Sequence, residues 1–271
     1  GVSYRVEMRM AAEAAGLASR SYGTVTSAVP ADRARLRNQG ALLKEVRELL
    51  TLSRGYGMES VRQRAMSTAE TVSASLSEVV DDSTLELVVD LRLAFGRLLA
   101  ALGANERAEK EHLDTAELSL SQGWTETACA ALALASHAAQ ARGDRASSGR
   151  AWHQCRDAME FWPMNRPGER CGILVDAVGD PLVAVQVLSA LAEVLVDGVE
   201  EDHSRAPIIR EIISRASEQA SRCVSPPQGA VESLARVEER IAPYGRGRGG
   251  RRRPGSTTTI TTDGQAAAGG K

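Results

Sequence analysis

The feature that most constrains this fold is a series of glycine-terminated helical segments that fills most of the chain. Nearly every segment up to Tyr244 carries apolar residues at steps of three and four, the period of an amphipathic helix. Glycine is common where a helix ends, because it adopts the left-handed backbone there without a steric cost. Four such glycines, at spacings of 46, 40 and 36 residues, are Gly57, Gly103, Gly143 and Gly179. The pattern predicts an all-α chain, and the apolar run that starts at Val183 is expected to be a buried helix rather than a strand.

A second regularity follows these turns. The helix after Gly103 carries Ala108, then His112 and Thr115 at steps of four and three. A small residue near the start of a helix lets its backbone approach the preceding helix, and residues four and seven positions later face the same seam. Recurrence at about 20 to 50 residues is typical of stacked repeats. We therefore expect antiparallel helical hairpins that stack on one another.

The hairpins resemble the tetratricopeptide repeat family, most closely between Val89 and Gln122. The match consists of Phe95, Gly96 and Leu99 in the first helix, Gly103 in the turn and Ala108 in the second helix. His112 and Thr115 depart from it, since that family prefers a large aromatic residue and an alanine there. The resemblance implies a right-handed superhelix with a concave groove. It also implies that the repeats pack through Gly96, Gly103, Ala108, Gly143, Ala151, Gly179 and Ala184.

The resemblance assigns the groove-facing positions by register. They are Asp90 and Arg97 in the clearest repeat, and His137 and Gln140 in the next. Arg97 and His137 occupy equivalent places, six residues before Gly103 and Gly143 respectively. The alternative is that all four side chains lie on a solvated helix face. Small residues nearby favour a wide, shallow groove, which suits an extended or helical peptide.

The chain divides by composition at Tyr244. Residues 1–244 are expected to form one helical repeat domain, with the clearest repeats between residues 58 and 195. Residues 245–271 are rich in Gly, Arg, Ser and Thr and lack the apolar content that offsets ordering entropy, which predicts a disordered tail. Contact of this tail with nucleic-acid phosphates is expected to be weak and salt-sensitive at most, and a solubilising linker is the alternative. That contact would use Arg246, Arg248, Arg251, Arg252 and Arg253.

Composition narrows the functional classes. The formal net charge of -2 argues against a polycation that coats nucleic acid, and 3% aromatic residues argue against a base-stacking platform. The sequence contains no run of about 18 apolar residues, which a membrane-spanning helix would need, and no secretory signal pattern is visible. We therefore expect a cytoplasmic location. The frequent use of Arg over Lys is typical of GC-rich bacterial genomes. Four cysteines without a C-x-x-C pair are expected to be buried free thiols: Cys129, Cys155, Cys171 and Cys223.

Two motifs could indicate an all-helical enzyme. Glu109 and His112 have the Glu-x-x-His spacing of di-iron sites, but such a centre needs two of these motifs and two more glutamates. Asp81, Asp82 and Glu86 resemble the magnesium-binding motif of terpene synthases, which also need a second metal motif and an aromatic pocket. The enrichment of acids at a helix N-terminus accounts for the second motif. We therefore expect no catalytic residue, no metal and no cofactor.

The sequence thus predicts a non-enzymatic scaffold that binds a protein or a peptide. The alternative is the effector-sensing C-terminal domain of a bacterial transcriptional regulator, because similar repeat arrays follow helix-turn-helix domains there. An all-helical enzyme is the third hypothesis. No membrane partner is expected.

Overall fold

The computed structural model describes residues 30–76 and 85–244, which form α-helices and two short 3-10 segments without any β-strand. The predicted all-α class is confirmed for these residues. Asp81, Asp82 and the arginines of the C-terminal tail lie outside the described residues. Within the described ranges, no helix combines the length and the apolar character that crossing a bilayer requires.

Ten α-helices account for these ranges. They are α1 (Pro30–Tyr56), α2 (Arg62–Leu76), α3 (Leu85–Ala101), α4 (Asn105–Ser121), α5 (Thr125–Ala141), α6 (Arg145–Met159), α7 (Pro167–Val178), α8 (Pro181–Val196), α9 (Arg205–Ser221) and α10 (Gln228–Ile241). The apolar run at Val183 lies in α8, as predicted.

A short 3-10 turn separates α1 from α2. It covers Met58–Ser60, directly after Gly57, and α2 begins at Arg62. The backbone of Gly57 has a φ of 82°, and the Ser60 hydroxyl donates a hydrogen bond of 2.7 Å to the Gly57 carbonyl. This side-chain hydrogen bond gives the backbone at Met58–Ser60 an alternative to the hydrogen bonds of an α-helix.

Three identical turns join the helices from α3 to α6. Gly103, Gly123 and Gly143 have φ values of 84°, 70° and 86°. Each glycine N–H donates to the carbonyl three residues earlier, and the next N–H donates to the carbonyl five residues earlier, at 2.9–3.1 Å. This is the Schellman motif, which satisfies carbonyls at the end of a helix. The turns recur every 20 residues, so the local repeat is one helix plus one turn.

Helix α5 lies at the centre of the fold. It contacts α3, α4, α6, α7 and α8, and 14 of its 17 residues are buried. A helix that is apolar on all sides is expected in an interior position. The ion pair between Glu126 and Arg170, both largely buried, connects its first turn to α7.

Two hydrophobic cores share α3. The main core contains buried side chains of α3 to α10, including Ala184. Ala151 of α6 is also buried. The N-terminal core is formed by α1, α2 and α3 together with Ala108 and Ala138. Because α3 contributes Leu93 to the first and other side chains to the second, it couples the two cores.

The seam between α3 and α4 depends on small residues. Gly96 has no side chain, and the ring of His112 lies where its Cβ would be. Ala108, one turn before His112, is fully buried in the N-terminal core. Little space therefore remains for a larger side chain in this seam.

We expect Gly103→Ala to lower the free energy of unfolding by about 1–2 kcal/mol, because an L-residue resists the left-handed conformation. Nothing lies within 4 Å of an added Cβ at Gly103, so the cost comes from the backbone alone. Gly172→Ala is the matched control, since that site within α7 is equally open. There the same change should stabilise by about 0.5–1 kcal/mol. Urea denaturation measures both, and equal effects would contradict the turn geometry.

We expect Ala108→Leu to destabilise the protein by about 1–3 kcal/mol through overpacking. Ala101→Leu, at an exposed position of α3, should stay within about 0.5 kcal/mol of wild type. Thermal denaturation followed by circular dichroism compares the two. Wild-type stability of Ala108→Leu would show that the seam is looser than described.

Candidate functional site

A polar cleft of about 770 Å³ lies between the α5–α6 hairpin on one side and helices α8 and α10 on the other. Its lining combines serine hydroxyls, glutamine amides, His137, two arginines and the ring of Trp152. The volume falls within the range of about 300–1,000 Å³ that is usual for ligand sites in proteins. The cleft is therefore the strongest candidate site in the described part of the chain.

Helix α6 forms one wall through a single face. Arg145, Gly149, Trp152 and Arg156 recur at steps of three and four, which aligns their side chains along the helix. Nothing lies within 4 Å of an added Cβ at Gly149, so the wall is open at that point. Trp152 is half-buried and offers an apolar surface among polar groups. This wall can contact a ligand that has both apolar and polar parts.

A shared carboxylate closes one end of the cleft. Glu193 of α8 forms an ion pair of 3.0 Å with Arg156 of α6 and a longer one of 4.0 Å with Arg236 of α10. It also accepts a hydrogen bond from the hydroxyl of Ser233. Three helices thus meet at one carboxylate, which connects the two walls at this end of the cleft.

The floor is made by hydrogen-bonded pairs. His137 Nε2 lies 2.7 Å from Gln186 Oε1, so this ring nitrogen donates to the amide oxygen. Ser136 donates to the carbonyl of Ser148 at 3.0 Å. Gln140 lies one turn beyond His137 and is exposed. The floor therefore offers polar groups that are held by partners on α6 and α8.

The four predicted groove residues fall into two separate places. His137 and Gln140 line the cleft. Asp90 instead forms an ion pair of 3.6 Å with Arg47 of α1. Arg97 lies against the turn that joins α7 to α8, with Nη2 at 3.5 Å from the Gly179 carbonyl oxygen. The register that groups Arg97 with His137 therefore does not bring them into one site.

Sequence reasoning missed most of the cleft. The polar face of α6, with Arg145, Trp152 and Arg156, is visible as a periodic pattern. On α8, Glu193 pairs with Arg156 of α6 and Gln186 pairs with His137 of α5, at separations of 37 and 49 residues in sequence. Only tertiary packing brings these side chains close.

The buried thiols lie outside the cleft. Cys129, Cys155 and Cys171 are buried and free, and Cys223 is half-buried. Hydrogen bonding with Cys155 and burial raise the pKa of Cys129, and burial raises the pKa of Cys171 to about 12. Thiols in this state are poor nucleophiles and poor metal ligands. Among the described residues, no group of three His, Cys, Asp or Glu side chains is placed to hold a metal ion.

His112 is enclosed in the seam between α3 and α4. Burial, together with repulsion from the Arg97 guanidinium, lowers the pKa of its ring to about 3. Nδ1 is buried without a hydrogen-bond partner among the described residues. The ring is therefore neutral at physiological pH and acts as a packing element.

Comparison with known proteins identifies no relative, so a functional assignment depends on the geometry of the structure. No protein-family model, curated protein or solved structure matches this chain. The resemblance to tetratricopeptide repeats therefore rests on the residues quoted above and on the presence of consecutive helical hairpins.

The buried neutral ring of His112 should make stability depend on pH. Because its folded pKa is depressed, its contribution is fully present above about pH 6.5 and is lost as the pH falls towards 3. The slope should reach about 1.4 kcal/mol per pH unit. Denaturation of wild type and His112→Gln between pH 7 and pH 4 measures it. The exposed His153→Gln serves as control and should keep the wild-type slope; an unchanged slope in His112→Gln would contradict the assignment.

Proposed function

We propose that this chain is a non-enzymatic helical scaffold that binds a peptide segment of a partner protein in the polar cleft. The observation that supports this most directly is the combination of His137, Gln140 and the half-buried ring of Trp152 in one open cleft. Aromatic rings with adaptable polar neighbours are common in protein-binding surfaces. The proposal includes the finer architecture, a right-handed superhelix like that of tetratricopeptide repeats.

The dimensions of the cleft suit an extended peptide. The lining residues of α6 run from Arg145 to Arg156, which corresponds to about 16 Å along the helix axis. An extended chain of about five residues covers that length. Side chains of such a peptide would meet Trp152, and its backbone amides would meet the hydroxyl and amide groups of the floor.

The repeat architecture supports the same location. Helices α3–α4 and α5–α6 form two consecutive hairpins, and α5 is the first helix of the second. In tetratricopeptide repeats the first helices line the groove, and His137 and Gln140 lie on α5. Helices α8 and α10 would then form the far side of the groove.

The hydrogen-bond partners in the cleft favour binding over catalysis. His137 is paired with the amide of Gln186, and Ser136 is paired with Ser148. Within the described residues, neither arrangement joins a nucleophile to a base that a carboxylate orients, which acid–base and nucleophilic mechanisms need. These pairings support a role of the cleft in binding.

Effector sensing is the second candidate, and the volume of the cleft favours it. A cavity of about 770 Å³ also fits a small molecule. Its walls come from separate helices, so a ligand that binds one spacing of α6 and α8 better than another would shift the population of conformers. This role would apply if the chain follows a DNA-binding domain.

Filling the cleft with a larger side chain should weaken peptide binding. Peptides are first selected from a random library for binding to the full-length wild-type chain. They should bind the Gly149→Leu variant at least about tenfold more weakly, a loss of about 1.4 kcal/mol in binding free energy. Gly172→Leu, at an open site of α7 outside the cleft, is the matched control and should bind normally. Fluorescence anisotropy of a labelled peptide measures affinity, and circular dichroism verifies folding.

Equal affinity of the peptide for Gly149→Leu and wild type would exclude the cleft as its site. Failure to select any peptide, combined with saturable binding of a small molecule that Gly149→Leu loses, would favour the effector-sensing role instead.

A further inference from the structure

Two arginines from different helices converge on one carbonyl group, outside the cleft. Arg54, in the last turn of α1, donates a hydrogen bond to the Gly179 carbonyl oxygen. Arg97 of α3 donates to the same oxygen at 3.5 Å. Its guanidinium also lies against the Cα of Gly179, where any Cβ would collide with it. Gly179 links α7 to α8, so this point joins three separate parts of the fold.

The positive charge at this point is incompletely balanced by the described residues. Neither Arg54 nor Arg97 forms an ion pair within 4 Å with a described carboxylate. The nearby Asp180 carboxylate caps α8 instead, accepting hydrogen bonds from the N–H groups of Leu182 and Val183 at 2.9 and 3.3 Å. Two guanidiniums therefore share one neutral acceptor, although together they carry many N–H donors.

The lowered pKa of Arg97 is consistent with incompletely balanced positive charge at this point. Burial lowers the pKa of Arg97 to about 10, and repulsion from Arg54 and Arg47 acts in the same direction. Attraction to Asp180 opposes these effects without cancelling them. Arg47 itself is paired with Asp90 at 3.6 Å. The cluster consequently holds like charges in close proximity, and a bound anion would relieve that repulsion.

The position of the cluster gives such an anion a structural effect. Arg54 belongs to α1, which packs in the N-terminal core, whereas Gly179 connects two helices of the main core. Arg97 lies on α3, the helix that both cores share. A ligand held here would therefore connect the two cores.

We propose that Arg54 and Arg97 form a binding site for a phosphate-class oxyanion at the junction of α1, α3 and the α7–α8 turn. Planar guanidinium groups present paired N–H donors that match the oxygens of phosphate. Arg54 is exposed and provides access from solvent, while Arg97 lies deeper and provides the second contact. The site is independent of the polar cleft, because neither arginine lines it.

The test is a titration of the full chain with inorganic phosphate at constant ionic strength, with chloride and acetate as parallel arms. Phosphate should raise the melting temperature saturably, because ligand that binds only the folded state stabilises it. Arg54→Gln should weaken phosphate binding at least tenfold in isothermal titration calorimetry. Arg150→Gln is the matched control, since Arg150 is exposed and its one side-chain hydrogen bond among the described residues is to Ser147.

The Arg97→Lys variant tests whether phosphate binding needs the guanidinium group itself and not only its positive charge. It retains the charge but removes the planar fork, so phosphate affinity should fall several-fold in a folded protein. Hydrogen exchange should locate the added protection at the last turn of α1 and at Gly179–Val183.

Three results would overturn the proposal. An equal response to acetate would show that the site does not select the phosphate class. The absence of a saturable response would show that the arginines only cap the C-terminus of α7. An unchanged response in Arg54→Gln would place the anion elsewhere, and this exposed position keeps the test valid even if Arg97 variants fail to fold.

Discussion

Close packing around α5 is the constraint on which the rest of the structure depends. This helix is buried on nearly every side, and eight of its 17 residues are alanine. Small side chains let neighbouring backbones approach, so α5 accommodates five other helices. Only His137, Gln140 and Ala141, near its C-terminal end, escape full burial. The floor of the cleft is the part of α5 that its neighbours leave uncovered.

The same packing explains why α7 and α8 matter to both proposed sites. The Glu126–Arg170 ion pair connects α7 to the start of α5, and the αL turn at Gly179 reverses the chain into α8. That reversal directs α8 past the open end of α5, where Gln186 meets His137. It also places the Gly179 carbonyl beside α1 and α3, where Arg54 and Arg97 meet it. One turn thus contributes to the cleft and to the arginine cluster.

Most helices could be predicted from local sequence patterns, because apolar periodicity and the glycines that end helices are each encoded within a few residues. Gly103, Gly143 and Gly179 all adopt the left-handed turns expected of them. Gly123 has the same turn geometry, so the local repeat is one helix and one turn, rather than the two helices that the spacing of Gly103 and Gly143 predicts. The site was less predictable. His137 and Gln140, which the repeat register assigns to the groove, line the cleft, but the walls of the cleft depend on tertiary contacts that no local pattern specifies.

The most direct test of the enclosed position of α5 is amide hydrogen exchange of the full chain, followed residue by residue. The packing described here predicts that α5 amides exchange only through global unfolding, with a free energy equal to that from denaturation. The amides of α10, a peripheral helix, should exchange through smaller openings. If α5 exchanged as fast as α10, the helix would not be enclosed, and neither the cleft nor the arginine cluster would have the supporting structure described here.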